Sequence, residues 1–510
     1  MRKFFILILT MVTALTVHAQ ELKPLTLEDL NFGGTNYHNM IPKSCYTTWW
    51  GDELVHLDVE ACYLVNKATG KESKLFSLAE LNKWSGMMLR HLYNIKFPET
   101  GKSLVWLNDG KQRILFDWKS RKALWKGNVN MAKGAQAQDF NSVSKALAYV
   151  KDNQLHVVDA HGNDHQLTTD GSREIVYGQS VHRNEFGITG GLFWNNDGTQ
   201  LAFYRMDQSM VSDYPQVNIP ERDWKPAEGQ SRIATLEPDK YPMAGMAMHK
   251  VTVGIFSPAT DRTIWLELGD VTDRYFTNLS WSPDGKILYI VEVPRSQKRC
   301  DLVAYDATTG KRLKTLYTET NERFVEPQNP LTFLPWDDHK FIYQSERDGF
   351  NHLYLFDTNG KMLRQLTQGK FEVLDLLGFN TAKRSIIVRT NESGHIRENL
   401  YAVDFKTGRR TLLDNGVGLH RASLSENGRY LRDTWSTPTD YRHIDIKSTE
   451  KQQTLSTLLN ADNPWSGFTM PQVENGSLLA ADGKTPLYYR LVKPIDFDPT
   501  KKYPAVVYVY

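Results

Sequence analysis

The sequence predicts an all-β chain folded as an eight-bladed β-propeller. Three observations carry the prediction. One kind of turn recurs along the chain at a near-constant spacing. Short apolar strands alternate with Gly-, Asn- and Asp-rich turns, with almost no helical periodicity. Aromatic residues reach 11% of the 510 residues, including 13 Trp and 23 Tyr, and such side chains favour strands.

The N-terminus reads as a targeting segment. Arg2 and Lys3 form a basic start, residues 4–17 an apolar stretch, and Val17-His18-Ala19 a small-residue cleavage site. Residues 1–19 are therefore expected to be a secretory signal peptide, too short to span a bilayer. This predicts a secreted, periplasmic protein. No other long apolar run follows, so membrane insertion is not expected. Without Arg2 and Lys3 the 61 basic residues fall to 59, equal to the 59 acidic ones. That balance gives no footprint for nucleic acid or an anionic surface.

The recurring turn follows an apolar strand, in most copies one that ends in Asp or Asn. It lies near Gly70, Ser120, Gly162, Asp261, Gly310, Gly360, Gly408 and Ser448, at spacings of 50, 42, 99, 49, 50, 48 and 40. A period in the forties with about four strands per unit fits a propeller blade, and eight turns give eight blades. A pair of β-sandwiches is the structural alternative, though sandwiches do not hold one period this long. The 99-residue gap implies one blade with an insertion, mostly Gln208 to His249, expected at the surface. A second turn appears in "LFWNNDGTQLAFYRMD" (192–207) and "LSWSPDGKILYIVEV" (279–293), with a weaker copy in "LSENGRYLRD" (424–433). Gly in these turns takes positive φ without strain, and the Trp before them is placed to wedge between sheets.

After Pro464 the pattern changes. "LLAADGKTPLYYRLVKP" (478–494) reads as a hairpin, and "KKYPAVVYVY" (501–510) as a strand buried on both faces. The expected organisation is signal peptide 1–19, propeller 20–465, and the start of a second domain, cut short, at 466–510.

Cys45, Cys62 and Cys300 are the cysteines. Export allows a Cys45–Cys62 bridge, and buried free thiols are the alternative. No metal site and no cofactor are implied. No serine is flanked by Gly two before and two after, no HExxH occurs, and Gly101-Lys102-Ser103 lacks the upstream Gly of a phosphate loop. The single His in "HRNEF", "FNHLYLF" and "GLHRAS" read as structural. No complete active site is visible from the residues alone.

Three stretches, "YGQSVHRNEFGITGGLFWNNDGTQLAFYRMDQSMVSDYPQ" (177–216), "SERDGFNHLYLFD" (345–357) and "KKYPAVVYVY", resemble the serine exopeptidases of the prolyl oligopeptidase clan, in the dipeptidyl peptidase IV branch. The resemblance runs over essentially the whole mature chain. It implies an eight-bladed propeller joined to an α/β-hydrolase domain, with residues 466–510 as the truncated start of that domain. It also implies acyl transfer by a Ser-His-Asp triad lying beyond Tyr510. Tyr510 falls on the family tyrosine that helps form the oxyanion hole.

In the family, two adjacent Glu of an inter-blade segment hold the substrate ammonium. Here Glu185 falls on the second and Asn184 on the first. Arg183 is placed to fix the Glu185 carboxylate or to bind a substrate carbonyl. The single Glu is similar to prolyl tripeptidyl peptidases, so release of Xaa-Xaa-Pro is expected, with Xaa-Pro dipeptide release as the alternative. The implied partners are peptides with a free N-terminus and proline, and a homodimer is compatible with the family. A non-catalytic propeller module that binds peptides or a protein partner is the competing reading, since fold does not fix function.

Overall fold

The structure, a computed structural model, describes residues 22–219 and 233–509. The signal-peptide reading of residues 1–19 and the assignment of Tyr510 lie outside the described residues. The chain divides into two units. The larger comprises residues 45–437 and 443–459, the smaller residues 1–44, 438–442 and 460–510.

The larger unit is the eight-bladed propeller. Its blades lie at 47–77, 96–128, 137–166, 175–265, 274–320, 332–365, 373–412 and 419–460, numbered here 1 to 8. Adjacent strands within each blade run antiparallel. All eight recurring turns fall between the last two strands of a blade. The strand-ending acid or amide builds the turn by accepting two backbone N–H groups. Asp306 Oδ1 takes those of Thr308 and Thr309 at 2.9 and 2.7 Å, and Asn66 Oδ1 those of Ala68 and Thr69 at 3.0 and 3.1 Å. The turn is thus encoded by a side chain that mimics a backbone acceptor.

The blades stack through apolar side chains, because a strand in the middle of a blade is buried on both faces. In Leu201–Asp207, Leu201 and Phe203 pack towards blade 3, while Ala202, Tyr204 and Met206 pack towards blade 5. The expected Trp wedges are present. Trp194 of blade 4 donates its indole N–H to Asp139 O of blade 3 at 3.4 Å, and Trp281 of blade 5 donates to Phe193 O of blade 4 at 3.0 Å.

The ring closes between blades 1 and 8 without exchange of a strand, since each of the two sheets is built from its own segment of chain. Leu54, Val65 and Ile446 form the buried seam. Trp49 Nε1 donates to Ser423 Oγ at 3.1 Å, Asn427 N to Asp52 Oδ1 at 3.1 Å, and Ser456 Oγ to Lys67 O at 2.8 Å.

The inserted segment extends blade 4 as a narrow arm. Asp213–Tyr214 pairs with Asp239–Lys240, and Val217–Asn218 with Thr235–Leu236. Its exposed side chains agree with the surface position expected for it.

In the smaller unit, Lys23–Pro24 pairs in parallel with Phe468–Thr469, and Trp465 Nε1 donates to Met40 O at 2.9 Å. Residues 22–44 therefore belong with this unit, and the first blade opens at Thr47 rather than at residue 20. The expected hairpin is present as Gln472–Leu479 with Pro486–Lys493. The strand expected at the end of the chain is not: residues 502–509 make no strand pairing, and Val506 is 99% exposed. Its apolar run needs a paired neighbour on each edge, and the described residues offer none.

All three cysteines are free. Burial pushes the Cys45 thiol up to about 11 and the Cys300 thiol up to about 12, and it raises Cys62 as well. Among the described residues no helix is long and apolar enough to cross a membrane, and no group of His, Cys, Asp or Glu is arranged to hold a metal ion.

Candidate functional site

The segment carrying Arg183, Asn184 and Glu185 leaves the first strand of blade 4. That strand is split into Ile175–Tyr177 and Leu192–Trp194, both paired with Leu201–Asp207. Tyr204 closes the neck of the excursion, its N–H donating to Gly191 O at 3.1 Å and its C=O accepting from Gly178 N at 2.9 Å. The neck is tight: a Cβ on Gly191 would stand 2.1 Å from Gln179 O.

At the tip the backbone turns repeatedly through the left-handed region. His182, Arg183, Asn184 and Phe186 have φ of 53°, 57°, 64° and 54°. For residues with a Cβ each such turn costs about 1–2 kcal/mol, least for Asn. A conformation of this kind persists where its surroundings over-determine it, and here they do. Phe186 is buried edge-on against Tyr275 at 5.0 Å, and its carbonyl accepts from Thr277 Oγ1 at 2.9 Å. Gly187, at φ +73°, lies so close to the loop after blade 5 that a Cβ would meet Gln328 O at 2.1 Å.

His182 is the second anchor. Its Nε2 accepts the Phe276 N–H at 3.2 Å, so its proton sits on Nδ1 and is donated to His249 Nε2 at 3.0 Å. The two imidazoles are thus locked neutral in one tautomer each. Burial drives His182 well below its usual pKa and lowers His249 to about 4.

With His182 and Phe186 turned inward, Arg183, Asn184 and Glu185 turn outward. The structure brings these three predicted residues together on one short tip and gives each a different environment. Arg183 does not reach the Glu185 carboxylate. Its Nη1 lies 2.5 Å from Asp239 Oδ2 at the root of the arm, and its guanidinium covers the Tyr241 ring at 5.0 Å. Asn184 accepts from the Ser180 hydroxyl. Asn also suits the φ that its position requires, a demand a second Glu would meet less well. The Glu185 carbonyl accepts from Ile188 N at 3.2 Å, but among the described residues its carboxylate, alone of the three side chains, has no hydrogen-bond or ion-pair partner.

The supports His249, Asp239, Tyr241 and Gln328 were not foreseen from the sequence. Nothing in "MAMHKVTV" distinguishes His249 from a lone structural His, because its partner is 67 residues away.

The tip can therefore offer one free carboxylate at a fixed place to a cationic group. No metal or redox chemistry is suggested by its donor set.

Residues 90–441 match the family described as Dipeptidyl peptidase IV (DPP IV) N-terminal region. The probable dipeptidyl-aminopeptidase B of Pyrenophora tritici-repentis is 26% identical over 74% of this chain and 45% of its own length. That of Coccidioides posadasii is 23% identical over 90% of this chain and 51% of its own. The chain thus spans about half the length of the curated relatives it matches. Among solved structures, a candidate dipeptidyl aminopeptidase IV from Bacteroides ovatus is 40% identical, with a TM-score of 0.86, over 96% of this chain and 70% of that one. Dipeptidyl peptidase 4 of Porphyromonas gingivalis, 24% identical, shares the fold at a TM-score of 0.75 over 94% of this chain and 69% of that one.

Proposed function

Because the chain belongs to the dipeptidyl peptidase IV family through its N-terminal region, we propose that it is the substrate-gating part of an exported serine exopeptidase. In this reading it acts in the periplasm on peptides with a free N-terminus. The observation that supports it is Glu185, an unpartnered carboxylate held on a strained and anchored tip. A substrate ammonium leaving water needs such a partner. One carboxylate rather than two favours release of Xaa-Xaa-Pro over Xaa-Pro. Bond cleavage is assigned to a Ser-His-Asp triad outside this chain, with Tyr510 donating to the oxyanion.

The test uses the protein expressed from its complete coding region. Unblocked Ala-Ala-Pro-p-nitroanilide should be cleaved, its N-acetylated form should not, and Glu185→Gln should lower kcat/KM on the unblocked substrate by about 10²-fold, the scale of a lost charge-assisted contact. Equal rates on blocked and unblocked substrate would remove the ammonium role of Glu185. Preferential release of dipeptides would remove the tripeptidyl choice. No cleavage of any prolyl substrate would remove the peptidase reading.

A further inference from the structure

The first strand of blade 5, Arg274–Trp281, carries a bulge. Thr277 pairs with Val291 and Ser280 with Tyr289, so Asn278 and Leu279 together oppose one residue of the partner strand. Bulges re-aim side chains and recur beside functional sites. Phe276 and Leu279 both belong to the apolar cluster between blades 4 and 5, although residues three apart in a regular strand face opposite sides. Between them, Thr277 bonds to Phe186 O of the tip, and Asn278 donates through Nδ2 to Pro327 O at 2.7 Å. Asn278 is buried and holds a φ of 55°, a left-handed conformation that Asn tolerates better than most residues with a Cβ.

Pro327 belongs to the connection between blades 5 and 6. Among the described residues, the main chain of 326–329 makes no hydrogen bond to other main chain, and Asn278 is the one side chain bonded to it. Support from blade 6 is thin. A cavity of about 40 Å³ is lined by this connection and, from blade 6, by Tyr343, Ser345 and Glu346. Burial, and then the like charges of Glu372, Glu326 and Glu319, raise the Glu346 carboxyl. The charge of Glu326 therefore sets the connection against blade 6 instead of binding it there.

The connection in turn bears on the tip. Gln328 O is packed against Gly187, where a Cβ would stand only 2.1 Å from it. Phe186 is buried in the same apolar cluster as Val325 and Leu331. Glu185 is one residue from Phe186 and two from Gly187. Its backbone thus stands at the end of a series of contacts that begins at Asn278.

We propose that Asn278 is a positioning residue: by holding Pro327 O it keeps Gln328 against Gly187, and so fixes the Glu185 carboxylate for a substrate ammonium. The ammonium rests on the exopeptidase reading; the coupling of Asn278 to the tip rests on the contacts alone. One amide of blade 5 thereby ties an excursion of blade 4 to the entry of blade 6.

The test replaces Asn278 by Gly, which accepts this φ without strain and lacks the amide. In the protein expressed from its complete coding region, Asn278→Gly should raise KM for unblocked Ala-Ala-Pro-p-nitroanilide about 5- to 20-fold and leave kcat within about 2-fold. Added to Glu185→Gln, it should lower kcat/KM by less than about 2-fold more, because the two changes act on one contact. In the same protein, hydrogen exchange should quicken about 10-fold at the Asn184 and Ile188 amides, which bond to Val181 O and Glu185 O within the tip. It should stay unchanged at Tyr204, at the neck. Thermal melts report whether the variant folds. Asn278→Asp, which keeps the shape and backbone preference but carries no donor when ionised, serves if it does not, with the same expected changes. Additive losses in the double variant, a fall in kcat at constant KM, or wild-type exchange at the tip in a folded variant would overturn the proposal. Failure of the exopeptidase reading shows separately, as wild-type kcat/KM in Glu185→Gln. It would overturn the ammonium clause and leave the exchange result to decide the coupling.

Discussion

His182 Nδ1 stands 3.0 Å from His249 Nε2, which joins the Glu185 tip to the end of the inserted arm through two neutral rings. Protonating His249 on Nε2 would set two N–H groups against each other, and protonating His182 on Nε2 would displace the Phe276 N–H. Both folded pKa values lie below the ordinary value, so the stability these rings contribute is complete above about pH 6.5 and is lost as pH falls towards 4. For His249, lowered to about 4, the loss is on the order of 2–3 kcal/mol. Denaturant unfolding at pH 7 and pH 5 should show it, and His249→Gln, which keeps an acceptor without a titration, should flatten that pH dependence.

The Arg183–Asp239 pair is exposed on both sides, so breaking it should cost less than about 1 kcal/mol of stability. Its effect belongs to the position of the tip. Asp239→Asn should raise KM for unblocked peptides about 3- to 10-fold with little change in kcat or in melting temperature. A fall in kcat at constant KM would place Arg183 in a different role.

Gly187→Ala combines a left-handed φ with a Cβ 2.1 Å from Gln328 O. The expected cost is about 2–4 kcal/mol, from strain and overpacking together. Glu185→Gln, at a free side chain, should leave the unfolding midpoint within about 0.5 kcal/mol of wild type. Chemical denaturation of both variants separates the architecture of the tip from its chemistry.

Leu54 is fully buried in the seam with Val65 and Ile446. Leu54→Ala should cost about 2–5 kcal/mol. Hydrogen exchange should then rise first in the strands of blades 1 and 8.

His420 titrates in the opposite sense to His182. Burial alone would lower it, but Asp433, 2.9 Å from Nδ1, together with Asp414 raises it above its ordinary value. Its Nε2 proton goes to Val417 O at 2.8 Å. The stability it contributes is complete below about pH 6.5 and is lost as pH rises through its folded pKa. Asp433→Asn leaves the imidazolium without its main partner and should cost about 3–5 kcal/mol at pH 6. That difference should shrink in a pH series up to 9.

The blades were legible because each is written locally. Asp306 and Asn66 announce their turns two and three residues ahead, and Trp194 and Trp281 sit at fixed offsets from Asp-Gly turns. The outward group at 183–185 was legible only through resemblance, since its pentapeptide alone reads as a solvated loop. Its supports were not legible at all. His249, Asp239 and Gln328 meet the tip through long-range packing, and none carries a local pattern. The terminal apolar run illustrates the converse: residues 504–509 have strand composition, but a strand is a relation between segments, and the described residues supply no second segment. Residues 22–44 carry no local pattern that marks their pairing with Phe468–Thr469.

The ring between blades 1 and 8 behaves as a split washer. Every other junction is crossed by the covalent chain, whereas this one is held by side-chain packing and a few hydrogen bonds, among them Glu426 N–H to Gly51 O at 3.1 Å. Tension applied at residues 47 and 459 should load that gap through Leu54, Trp49 and Asp52. The Glu185 tip, carried by blade 4 and braced on blade 5, sits across the ring from that opening, where the chain itself joins the two blades.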